Sequence, residues 1–257
     1  MVVASAMTAY AAIGLIALLA VATRLAAALL GPDGVRSMAG DLARYVPGPL
    51  GLDHAVRELT DGAVGMSWWA VLSAVLPISL YCEGTVRCLE RFVRRDERGA
   101  KTLRGRLLAV PIVLVASLAV IIAATVLRPL IEGTFGTGTG PRLLGVFVTF
   151  VVLWPGLTAV LCLVYRLFPS TTLRPVPLLV GAAAAGSWLA GQTLGYVLTL
   201  RFVSRFAAPY GGYVVAGAVA ALVFLLYLNH VVVLLGYLLA LELDGAADRS
   251  AAGAGPG

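Results

Sequence analysis

Residues 213–241 read YVVAGAVAALVFLLYLNHVVVLLGYLLAL, without a single Asp, Glu, Lys or Arg. A helix of about 20 apolar residues crosses the ~30 Å hydrocarbon layer of a bilayer, so this stretch predicts a membrane-spanning helix. The same pattern recurs toward the N-terminus, near residues 3–30, 63–84, 107–128, 142–167 and 176–200. The first five blocks end at or within two residues of Arg, Gly or Pro, and the last runs into Glu242 and Asp244. The reading is an all-α, polytopic membrane protein with six transmembrane helices. Residues 1–244 form one membrane domain, and the small, polar tail 245–257 is expected to be disordered.

Composition agrees. The 257-residue chain is 60% hydrophobic and 12% charged, with a mean hydropathy of +0.94. Soluble domains carry about 25% charged residues, so a single water-soluble core is excluded. A net charge of +6 would suggest nucleic acid in a soluble protein. In a membrane protein it reflects the bias of Lys and Arg toward the cytoplasmic side, and no nucleic-acid partner is expected. The loop 85–106 alone holds Arg87, Arg91, Arg94, Arg95, Arg98, Lys101, Arg104 and Arg106. Six spans put both termini on one side, and the basic loop sets that side as cytoplasmic, giving an N-in, C-in topology. Within the loop, Arg91, Arg94, Arg95, Arg98 and Lys101 are expected to face anionic lipid headgroups.

Cys82, Cys88 and Cys162 stand at no metal-ligand spacing and near the cytoplasmic side, so neither a disulfide nor a metal is expected. No cofactor is called for. The first block has no basic leader and is too long for a signal-peptide core, so it is expected to be a retained helix. In the outer segment 31–62, Val35, Met38, Leu42 and Val46 recur at helical spacing, as do Leu52, Val56 and Leu59. They predict two short amphipathic helices, the second with Asp53 as a plausible N-cap, or a plain capped hairpin. The glycine-rich run 134–140 follows no strand and carries no nucleotide signal.

Helix packing is expected from a ridge of small residues four apart, Ala183, Ser187, Gly191 and Gly195, with a matching series Gly212, Ala216 and Ala220. Such ridges let backbones approach closely where lipid supplies no hydrophobic drive. They fit contact between the last two spans of one chain, or a homo-oligomer interface. Pro77, Pro111 and Pro155 lie within spans or at their ends and predict fixed bends, or hinges beside a cavity.

Ionisable and amide groups inside a bilayer are costly, which makes them candidates for function. Tyr81, Glu83, Gln192, Asn229 and His230 are the candidates for a substrate path. Each has a plainer role. His230 can bond a neighbouring carbonyl or Tyr81, and Glu83 can pair with Arg87 one turn on. Trp154, Tyr165 and Arg166 suit anchoring at the interface. No HExxH, GxSxG or Walker A motif is present, so the chain is not read as an enzyme, with a membrane-embedded lipid enzyme using His230 and Glu83 as the minor alternative. Without an ATP site, any transport would be passive, ion-coupled or partner-driven.

Taken together, several motifs carry a resemblance. They are Tyr165-Arg166-Leu167-Phe168-Pro169, Gly181-Ala182, Tyr210-Gly211, Tyr227 and Leu234-Leu235-Gly236. With these, the chain resembles the YihY/BrkB family of bacterial inner-membrane proteins, also called ribonuclease BN-like, over residues 4–244. Leu76-Pro77, Tyr81-Cys82-Glu83-Gly84 and the run from His230 to Gly236-Tyr237 are similar to an actinobacterial branch of it. The chain departs from the family at Leu225 (Trp in the family), at Leu238 (acidic there) and at Gly14-Leu15-Ile16-Ala17 (usually Ser-Leu-x-Pro). The resemblance implies a six-helix protein of the bacterial plasma (inner) membrane, associated with envelope integrity and suspected of transport. The expected function is therefore a transporter or lipid translocator, with a non-catalytic scaffold for lipids or partner proteins as the alternative. The expected partners are membrane lipids, anionic ones among them.

Overall fold

The computed structural model describes residues 2–45, 52–93, 110, 111, 113–115, 117, 139–199 and 214–253. Its elements are α1 (Val2–Leu30), α2 (Pro32–Tyr45), α3 (Leu52–Val64), α4 (Trp68–Glu90), α5 (Thr139–Leu167), α6 (Pro175–Thr199) and α7 (Val214–Gly253). The fold is all-α among the described residues. Among the described residues, four helices are long and apolar enough to cross a membrane: Val2–Leu30, Trp68–Glu90, Leu143–Leu167 and Val219–Ala247. At 25 residues, α6 is long enough but is not among them, its apolar run being interrupted by Gly186, Ser187, Gly191, Gln192 and Gly195. The expected third span, 107–128, lies largely outside the described residues, and those described within it are helical.

The breaks between elements follow from local chemistry. Gly31 adopts φ +84° and ends α1, a left-handed closure that glycine makes without a Cβ clash. Pro32 then opens α2, where a missing N–H costs nothing. Ser67 caps α4 in extended geometry, its Oγ accepting from Ala70 N at 3.2 Å. Two short helices thus occupy the segment 31–62. Val35 and Ala39 are buried on α2. On α3 the buried positions are Thr60 and Ala63, whereas Leu59 is exposed. The side chain of Asp53 lies outside the described residues.

α1 packs along α4, and α2 and α3 pack against the far end of α1. α6 packs against both α5 and α7. The two groups meet through α1 and α7. Helix ends show how the chain is threaded. At one end, Cys88 Sγ donates to Val3 O at 3.6 Å, Glu90 accepts from Ser170, and Asp244 accepts from Arg174 N. At the other end, Arg24 Nε donates to Met66 O at 3.0 Å. The start of α1 and Asp244 therefore share an end of the bundle.

Glycine sets the closest helix contacts. A Cβ on Gly14 would lie 2.7 Å from Tyr81 Cβ and 2.9 Å from Pro77 O. One on Gly84 would strike the Tyr10 ring. Gly181 faces the Gly236 carbonyl and Ala240, and a Cβ on Gly186 would lie 2.7 Å from Thr158 Oγ1. Pro77 and Pro155 both sit inside helices.

Three expectations change here. Residues 245–253 are not an irregular tail but continue α7, which is 40 residues long. At ~1.5 Å per residue that is about 60 Å, twice a hydrocarbon layer. Tyr165 is not an interface anchor. It is fully buried, its hydroxyl donating to Val233 O at 2.6 Å and its ring tilted against Tyr237. Trp154 lies thirteen residues before the end of α5 and donates from Nε1 to Ala183 O at 2.9 Å. It ties α5 to α6 rather than resting at the interface.

Candidate functional site at the junction of three helices

His230 is the polar centre of the bundle and is only 4% exposed. It is carried by α7, where Asn229 precedes it and Val231, Val232 and Val233 follow. Its Nδ1 lies 3.2 Å from Thr8 Oγ1 on α1, and its Nε2 lies 3.4 Å from the Tyr81 hydroxyl on α4. The Tyr81 and His230 rings meet edge-on, with centroids 6.1 Å apart. Thr8 donates its one hydroxyl hydrogen to Ala4 O at 2.9 Å. Its oxygen is thus left to accept from Nδ1–H, and Nε2 is the acceptor for Tyr81. One imidazole therefore ties together α1, α4 and α7.

Two apolar clefts flank α7. The first, about 710 Å³, lies between α6 and α7 and is lined by Ala184, Trp188, Gly191, Gln192, Leu228 and Leu235 among others. The second, about 830 Å³, lies between α1 and α7. Thr8 lines it together with Ser5, Phe224 and Tyr227. One partner of His230 is therefore at a cleft wall.

The structure distributes the sequence candidates unevenly. Tyr81 and His230 are brought together. Glu83 bonds Arg87 one turn on. Both amide atoms of Gln192 and Oδ1 of Asn229 are buried without a hydrogen-bond partner, which is costly in an apolar setting. Gly181 and Ala185 against Gly236 fix an antiparallel register that brings Gln192 level with residues 225–229.

The small-residue ridge is displaced from the contact it was expected to make. α6 and α7 do pack together, but through Gly181, Ala185, Gly236 and Ala240. A Cβ at Gly191 or Gly195 would meet nothing within 4 Å, and Ser187 is only partly buried. Gly212 and the side chain of Ala216 lie outside the described residues, as do Arg94, Arg95, Arg98 and Lys101. Arg91 is exposed and closes the C-terminus of α4.

Two functional-grade contacts escape sequence reasoning. Thr8 gives no signal, because a lone threonine in a span ordinarily bonds its own preceding turn. The Glu90 carboxylate accepts from Ser170 N at 2.6 Å and Ser170 Oγ at 3.0 Å. Interleaved with arginines in sequence, it resembles any solvated acid. Among the described residues, no three His, Cys, Asp or Glu are grouped so as to hold a metal ion.

The model of the family described as Virulence factor BrkB matches residues 1–256. The chain belongs to that family. No curated protein and no solved structure matches it.

Proposed function

From its membership of the BrkB family, we propose that this protein is a six-span transporter or lipid translocator of the bacterial plasma membrane that supports envelope integrity. The observation that carries the reading is His230, a buried titratable side chain at the joint between two helix groups. One group is α1 with α4, and the other is α5, α6 and α7. Spanning proteins retain such groups mainly along paths for ions or substrates. Rocking of packed helix groups about a central polar joint is the usual way such paths open. The side chains of Thr8 and Tyr81 would be released together as the groups part, and the α1/α7 cleft already reaches Thr8. The basic end of the bundle, with Arg87, Arg91, Arg166 and Arg174, is assigned to the cytoplasm, giving N-in and C-in. No enzymatic step is assigned to these residues.

A scaffold for lipids or partner proteins is the second reading. It draws on the same node, since both ring nitrogens of His230 are engaged and such a node can be purely structural. Flux in reconstituted vesicles separates the two. Of the candidate lipids and solutes, the transporter reading expects one to move with the wild type and to stop with His230→Gln, the protein staying folded. If His230→Gln and Tyr81→Phe restore envelope integrity fully in cells lacking the protein, the scaffold reading stands.

A further inference from the structure

The far end of the bundle carries an arginine arranged for an anion that the described protein does not supply. Arg24 sits six residues before the end of α1 and is partly buried. Its Nε donates to Met66 O at 3.0 Å, and its guanidinium carbon lies 5.1 Å from the centre of the Trp68 ring. These two contacts fix the plane of the guanidinium. Among the described residues neither terminal NH₂ group has a partner, and no carboxylate pairs with Arg24. The neighbouring Arg36 shows the contrast, because Asp33 and Asp61 both bond it.

Position points to the ligand. Trp68 and Trp69 stand at the start of α4, 61% and 81% exposed, and paired tryptophans at a span end sit at headgroup level. Arg24 is held against one of them and therefore lies at that level. A planar fork of two NH₂ groups matches two oxygens of a tetrahedral phosphate or a carboxylate. At headgroup level of a bacterial membrane, the abundant group of that geometry is the lipid phosphate.

We propose that Arg24, oriented by Met66 O and Trp68, binds the phosphate of a membrane lipid in the leaflet opposite the basic 85–106 loop. The site does not depend on the transport reading, since a structural lipid and a transported one would be held alike. The shared chemistry is a phosphate oxyanion, from a lipid or free in solution.

The test is native mass spectrometry of the detergent-purified full chain titrated with phosphatidylglycerol. A diacylglycerol with the same tails serves as the phosphate-free control. Wild type is expected to retain phosphatidylglycerol over diacylglycerol, and Arg24→Gln to lose that preference by roughly tenfold. Arg24→Lys keeps the charge without the fork and is expected to fall between them, while Arg36→Gln behaves as wild type. Competition by millimolar inorganic phosphate would assign the site to the free ion and overturn the lipid assignment. Equal phosphatidylglycerol retention by wild type and Arg24→Gln overturns the site altogether. Should Arg24→Gln fail to fold, Trp68→Leu is the second variant. It removes the stacking surface and leaves the charge, and unchanged retention in it would equally overturn the proposal.

Discussion

At the residue scale, the bundle rests on a few hydroxyl and imidazole contacts in apolar surroundings. Interhelical hydrogen bonds in membranes average about 0.6 kcal/mol and reach about 1.7. Tyr165→Phe removes the bond to Val233 O with little change of shape. A loss of roughly 1 kcal/mol is expected, read as a lower midpoint in thermal unfolding in detergent. His230→Ala removes two bonds and leaves a void, for which roughly 2–4 kcal/mol is expected. Thr8→Val should cost less than His230→Ala, because Tyr81 still holds the ring. Equal losses for the two would mean that Thr8, and not the imidazole, is the anchor. The pairing of Tyr81 with His230 was legible in sequence as an option. Thr8 was not, since only the crossing of α1 and α7 gives its oxygen an outside partner.

At the element scale, the packing of the last two described helices runs through glycine, though not through the most obvious glycines. Gly181→Ala places a methyl against the Gly236 carbonyl and Ala240. A loss of roughly 1–3 kcal/mol follows from overpacking. Gly191→Ala meets open space and should stay within about 0.5 kcal/mol of wild type in a monomer. Unfolding midpoints of the two variants side by side check both. A clear destabilisation by Gly191→Ala would show that this face is covered in the assembled protein, as the homo-oligomer reading of the ridge requires. The small-residue pattern was visible along most of α6. Which of its faces meets α7 depends on helix rotation about its axis, and in the structure it is the face with Gly181 and Ala185 that lies against Gly236.

At the scale of the whole molecule, two helix groups meet along α1 and α7, with His230 at the joint and Glu90 bonded to Ser170 at one end. If the groups rock during transport, bridging Glu90→Cys to Ser170→Cys with a thiol reagent should halt flux, and reduction should restore it. Flux that continues with the bridge intact would place the moving parts elsewhere. Topology has its own check. With Cys82, Cys88 and Cys162 replaced, a cysteine at Arg249 should react with an impermeant label only after the cells are opened. One at Arg36 should react in intact cells. The reverse pattern would invert the orientation.

Hydropathy by itself determined that this chain is helical and membrane-embedded, because twenty apolar residues in a row leave the backbone no other way to satisfy its hydrogen bonds in lipid. The same sequence carried the family motifs and narrowed the polar candidates to a handful. Only the tertiary structure decided which of them meet. It joined His230 to Thr8 and Tyr81, gave Glu83 to Arg87, buried Tyr165, and set Arg24 against Met66 O and the Trp68 ring. The physical reason is that hydropathy is a property of each segment alone. Partnership between side chains depends on the rotation and crossing of helices, and these are fixed by close contacts such as Gly14 with Tyr81 and Gly181 with Gly236.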